Sequence, residues 1–247
     1  MNPTVSASPA VSASPAVTGP VIVTGTDTGV GKTIVTAALT AVAKARRLRV
    51  AVLKPAQTGM APGSTEETDV ETVIRLAQPH DAVTLASFPD PLAPATAARV
   101  AGRPAVALDD VIAAVHGLAA VNDLVLVEGA GGLLVPMGVD GWTVADLAGA
   151  VGASLVVVVR AGLGTLNHTA LTLEALDRRR LTAVVVIGAW PARPELVHRT
   201  NLADLPGTLA GVVPEGVGAW TPTAFRAAAP TWLTPALHGS ATAFDDR

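Results

Sequence analysis

The chain has 247 residues, half of them hydrophobic, with 17 basic against 20 acidic side chains and a net charge of -3. That length suits one α/β domain or two small ones, and the charge balance gives no electrostatic footprint for nucleic acid or an anionic membrane. Cysteine is absent, which excludes disulfides, zinc–thiolate sites, iron–sulfur clusters and cysteine nucleophiles.

Residues 1–20 are rich in Pro, Ser and Ala, and VSASPA occurs twice in succession. Such a segment buries too little to order itself, and it lacks the basic start and apolar core of a signal peptide. It reads as a disordered extension, with a single domain over 21–247 and a cytoplasmic protein. Mean hydropathy is +0.48. The apolar runs at 155–159 and 184–187 are nevertheless far shorter than the ~20 residues that span a bilayer. They read as buried parallel strands.

A strand is expected over 21–24, followed by the loop GTDTGVGKT and a helix over about 32–46 whose basic end suits the negative pole of the helix. A second strand over 49–54 is stopped by Pro55. Helical periodicity covers 68–77, and 84–94 reads as an irregular proline-rich stretch. Helices follow over 108–120, 143–151 and 165–179, with a short one over 224–229; strands follow over 123–127, 154–160, 182–187 and 209–213. Strand–helix alternation without a hairpin signal predicts a three-layer α/β domain of the P-loop NTPase type, with a mostly parallel central sheet flanked by helices. Ligands in such folds sit beyond the carboxyl ends of the strands.

The polar residues gather at those ends. Gly29, Val30, Gly31, Lys32 and Thr33 lie between a strand and a helix, where backbone N–H groups cradle phosphate oxygens. Lys32 supplies charge to the β- and γ-phosphates, and the Thr33 hydroxyl suits magnesium. Thr26 stands where the strict pattern has glycine, so the loop is a variant. Asp27 and Thr28 are turn formers. Lys54 ends the second strand: a solvated lysine in isolation, a second cation for a transferred phosphoryl group beside a phosphate loop. Glu128 ends the strand DLVLV, the place of a carboxylate that holds magnesium or its water. The glycines after it allow close backbone approach to an anion. Asp69 starts a helix and by itself only complements the helix dipole. His168 has no metal-ligand pattern around it and reads as structural or solvated. The DLAG stretch beginning at Asp146 lies within a helix and carries no reading.

GTDTGVGKT, KPAQTG from Lys54, the pair Thr68–Asp69, VEGAGG from Val127 and GLGTLNH from Gly162 together resemble the dethiobiotin synthetases of biotin synthesis. The resemblance implies a magnesium- and ATP-dependent (or other NTP-dependent) ligase that makes a cyclic urea from 7,8-diaminononanoate and CO2 or bicarbonate. It implies Lys32 and Lys54 as the cations on phosphate and carbamate, and Thr33, Asp69 and Glu128 as the magnesium set. It implies Thr28, Gly29, Val30 and Gly31 around the nucleotide phosphates, and Val213, Pro214 and Glu215 on its base and ribose side. Thr58, Gly129, Ala130 and Gly131 fall to the substrate, with Gly164, Thr165 and Asn167 reaching its carboxylate across a homodimer interface. One departure stands out. The family commonly reads adenine with an asparagine near the strand end where this chain has Gly188, Ala189 and Trp190. Weaker resemblances are to cobyrinic acid amide synthases, which usually carry a cysteine glutaminase, and to partition or positioning ATPases, which want an extra early lysine in the loop.

Overall fold

The computed structural model describes residues 17–61 and 63–244. Its centre is a seven-stranded sheet of β1 (Gly19–Gly25), β2 (Val50–Gln57), β3 (Asp81–Ser87), β4 (Leu124–Gly132), β5 (Ser154–Val159), β6 (Ala183–Trp190) and β7 (Leu209–Pro214), in the order β3-β2-β4-β1-β5-β6-β7. Every pairing is parallel. The helices are α1 (Lys32–Ala45), α2 (Asp69–Ala77), α3 (Pro94–Val100), α4 (Leu108–Ala119), α5 (Val144–Val151), α6 (Thr165–Asp177), α7 (Leu196–Asp204) and α8 (Pro222–Ala228).

The strands are apolar on both faces, as a sheet covered twice must be. Ile22, Leu53, Val127, Val157 and Ile187 point into one core with residues of α4 and α5. Val21, Val23, Val52, Leu126, Val158 and Val186 point into the other, with α1, α2 and the C-terminal segment. No helix among the described residues is long and apolar enough to cross a membrane. Beyond β1 the chain moves out through β2 to β3, returns as β4 and then continues on the other side. A crevice therefore opens at the carboxyl end of β1, between β4 and β5, where the strand order reverses.

The fold matches the expected architecture, with local differences. β2 continues through Pro55 to Gln57, in register with β3 at Ala56↔Ala86 and Gln57↔Ser87. Proline removes one donor but its fixed φ is compatible with extended backbone, and the ladder to β4 has already ended at Leu53. The supposedly irregular stretch 84–94 contains the end of edge strand β3, whose half-buried residues give little hydrophobic signal. The helices α3 and α7 were not legible from periodicity, α3 being only seven residues long and α7 weakly amphipathic. The expected extension 1–20 overlaps β1, since Gly19 pairs with Leu124 and Pro20 with Val125. The rest of that expectation, over 1–16, lies outside the described residues.

Candidate functional site

The phosphate loop joins β1 to α1. Thr26 N–H donates to Val158 O at 3.0 Å, which pins the start of the loop to β5. Gly31 caps α1 in the left-handed region, φ 98°, a conformation that costs a side-chain-bearing residue dearly. Lys32 Nζ donates back to Asp27 O at 3.0 Å, spanning the loop from inside.

Three elements bring their polar ends to the start of α1. Thr33 Oγ1 lies 3.0 Å from Asp69 Oδ1 and 2.9 Å from Glu128 Oε1. Lys54 Nζ lies 2.5 Å from Asp69 Oδ2, 2.9 Å from Glu128 Oε1 and 3.0 Å from Gly129 O. Glu128 is 1% exposed and Lys54 3%, so this is an ion cluster of the interior, where unpaired charge is costly. Asp69 is held there by its helix end. The Thr68 and Glu71 capping box starts α2, and Gln57 Oε1 accepts the Asp69 N–H at 3.1 Å. Burial alone would lower the Lys54 pKa, but Glu128 and Asp69 outweigh it and hold the pKa above the ordinary lysine value. For Asp69, burial works against the charged form and is overcome by Lys54, so its carboxyl titrates below the usual range. For Lys32, burial wins over the attraction of Glu128, Asp69 and Asp27, with Lys54 adding repulsion, and its pKa is lowered.

The donor set fits a magnesium ion. The Thr33 hydroxyl has one proton and faces two carboxylate oxygens, so only one of those contacts is satisfied by hydrogen bonding. A hydroxyl and two carboxylates beside a phosphate site are what Mg2+ takes when substrate phosphates and water complete its octahedron. A cleft of about 590 Å3 opens over this cluster, lined by Thr28, Gly29, Gly31, Lys32, Thr33 and Lys54, among others.

Of the substrate residues implied by resemblance, Thr58, Ala130 and Gly131 line the cleft, while the Gly129 carbonyl is engaged by Lys54. Val30 is buried in the core beneath the loop, and so is Val213 in β7. Pro214 and Glu215 line a separate cleft of about 270 Å3 with Trp190 and Pro194. Trp190 is buried, stands edge-on to His198 and accepts the Glu215 N–H at 2.8 Å. Gly164, Thr165 and Asn167 lie away from both clefts; Gly164 and Asn167 are exposed and Thr165 is buried. Asp146 is the capping-box acid of α5, which accounts for the DLAG stretch. Sequence reading missed Pro91, Leu92 and Pro94 in the cleft wall, because they belong to the proline-rich stretch that carries no periodic signal. It also missed Arg160, which pairs with Asp27. The signal for Arg160 is the one that marks Lys54, a cation at the end of an apolar strand.

A family model described as an AAA domain matches residues 20–216. The chain is 53% identical to an ATP-dependent dethiobiotin synthetase of Streptomyces coelicolor, over 90% of this chain and 96% of that protein. It is 54% identical to another from Frankia casuarinae, over 87% and 92%. This chain belongs to the dethiobiotin synthetase family. Its fold is shared far more widely. A ParA family ATPase of Chlorobium tepidum superposes with a TM-score of 0.55 at 12% identity, covering 89% of this chain and 96% of that one. At that identity the likeness concerns the fold alone.

Proposed function

We infer that the chain is an ATP-dependent dethiobiotin synthetase, which closes the ureido ring of dethiobiotin from 7,8-diaminononanoate, CO2 and a nucleoside triphosphate. The observation that carries the site assignment is Lys54: a buried ammonium shared by Asp69 and Glu128 within reach of the Thr33 hydroxyl, on the floor of the phosphate cleft.

One substrate amine takes up CO2 as a carbamate. A carbamate oxygen attacks the γ-phosphorus, giving a carbamic–phosphoric anhydride and nucleoside diphosphate. The second amine then attacks the carbonyl carbon and expels phosphate, closing the ring. None of these steps requires a protein nucleophile. The protein contributes fixed charge and position. Lys32 is held by a single backbone carbonyl of its own loop, a contact it can exchange for phosphate oxygens. Lys54 is anchored by two carboxylates, so its charge stays in place as negative charge moves between carbamate and phosphate. Thr33, Asp69 and Glu128 would hold Mg2+, which when bound supplies Lewis-acid stabilisation of the phosphate oxygens.

Gly164 and Asn167 are too far from the clefts to line them, and Leu163 beside them is 86% exposed. These observations support a homodimer in which this loop meets the carboxylate tail of substrate bound to the partner subunit. The test is formation of dethiobiotin, followed by mass spectrometry, from diaminononanoate, bicarbonate and Mg–ATP. Expected is one dethiobiotin per ADP. ATP hydrolysis that ignores the diamine would overturn the reading and favour a positioning-type ATPase.

A further inference from the structure

Asp27 has an odd place for a carboxylate. It belongs to the loop that must attract a triphosphate, and its neighbours Thr28 and Gly29 line the cleft. Its geometry explains what it does there. Oδ1 accepts the Thr28 N–H of the next residue at 2.7 Å, a local bond that an asparagine side-chain oxygen can also accept. Its own carbonyl accepts the Lys32 ammonium at 3.0 Å. The carboxylate therefore shapes the loop at Thr28, while the neutral backbone carbonyl of the same residue parks Lys32. The carboxylate charge reaches the site, since Asp27 is among the groups that favour the protonated form of Lys32.

Arg160 answers that charge. It follows the last residue of β5, and its Nη2 forms an ion pair with Asp27 Oδ2. The Arg160 Nε is enclosed and finds no hydrogen-bond partner among the described residues, an arrangement that costs stability. The guanidinium thus reaches the carboxylate through Nη2 while its Nε is left unpaired. We propose that Arg160 is a positioning residue that neutralises Asp27, so that the phosphate loop keeps a carboxylate as its turn-forming acceptor without repelling the incoming nucleoside triphosphate. The proposal rests on the phosphate-site reading above. It extends to specificity: the pair sets how strongly the loop draws polyanions, independently of the diamine.

The experiment is a charge-rescue cycle read by calorimetric titration of Mg–ATP, without diamine, on the full chain. Arg160→Ala weakens binding about threefold to tenfold at low salt, the scale of a half-exposed pair, and the loss shrinks at about 0.5 M salt. Arg160→Gln, a milder truncation, shows the same loss, while Arg160→Lys stays near the parent. Asp27→Asn, which keeps the acceptor for Thr28 and sheds the charge, binds at least as tightly as the parent. The double variant D27N/R160A binds like D27N. A double variant as weak as R160A would overturn the proposal, because Arg160 would then act on the phosphates or the fold directly. A parent that binds with R160A and R160Q unaffected would sink this proposal alone, whereas a parent that binds no Mg–ATP would sink the phosphate-site reading as well.

Discussion

Gly188, at the end of β6, lies so close to Val30 of the phosphate loop that it has no room for a side chain. A Cβ built on Gly188 would lie 2.1 Å from Val30 O, and one built on Gly31 would lie 2.6 Å from Gly188 O. The end of β6 therefore braces the phosphate loop by backbone-to-backbone packing. Gly188→Asn will not install a base-reading amide. It will displace the loop, with a loss of roughly 3 kcal/mol in urea unfolding, at the upper end of overpacking costs, and weaker Mg–ATP binding. A soluble Gly188→Asn protein with parental stability would contradict the contact.

Selectivity among nucleotides follows from the same place. Gly188 has no side chain and Ala189 offers no hydrogen bond, so no amide reads adenine at this strand end. The neighbouring cleft presents the Trp190 ring, prolines and Glu215. An amide that reads the base contributes roughly 1–3 kcal/mol through the penalty for leaving it unpaired. Without it, kcat/KM for ATP should exceed that for at least one of CTP, GTP and UTP by less than about a hundredfold. A larger preference for ATP over all three would reveal another base contact.

On the function proposed above, Lys54 serves both the chemistry and the resting fold. Lys54→Ala should lower turnover by about a hundredfold or more, the scale of one lost transition-state contact. It also leaves Asp69 and Glu128 facing each other through Thr33 without their cation. Breaking a buried pair on one side costs roughly 3–5 kcal/mol, so the metal-free variant should melt well below the parent. Added Mg2+ should recover part of that loss in the variant and raise the parent's Tm less. Melting curves with and without Mg2+ check both statements; equal magnesium responses would argue against a shared cation site.

Truncation distinguishes chain composition from docking. Val17 N–H donates to Ala236 O at 3.1 Å, Val17 O contacts His238 Nε2 at 2.6 Å and Gly19 N–H donates to Asp123 O at 3.1 Å. Removing residues through Gly19 deletes these three hydrogen bonds, which tie the chain at the start of β1 to the C-terminal segment and to the residue before β4. The expected loss is about 2–3 kcal/mol by denaturant titration. A deletion through Gly19 with unchanged stability would show these contacts to be worth nothing in solution.

Amino-acid order alone determined the alternation of β-branched runs and helices, the phosphate loop and the strand-end positions of Lys54 and Glu128. These are local signals: a period of two or 3.6, a glycine turn, a polar residue after an apolar run. The family motifs added Asp69, whose role no spacing reveals. Tertiary structure decided what depends on residues distant in sequence. Lys54 meets Glu128 only because β2 pairs with β4, and Asp69 joins them where Gln57 fixes the start of α2. Arg160 meets Asp27 only because β5 pairs with β1. Gly188 is glycine because β6 runs up against the phosphate loop, a steric demand that no local pattern encodes. Strand order creates these contacts, and it is set by how seven strands pack beneath two layers of helices, a balance of burial over the whole domain that no single segment carries.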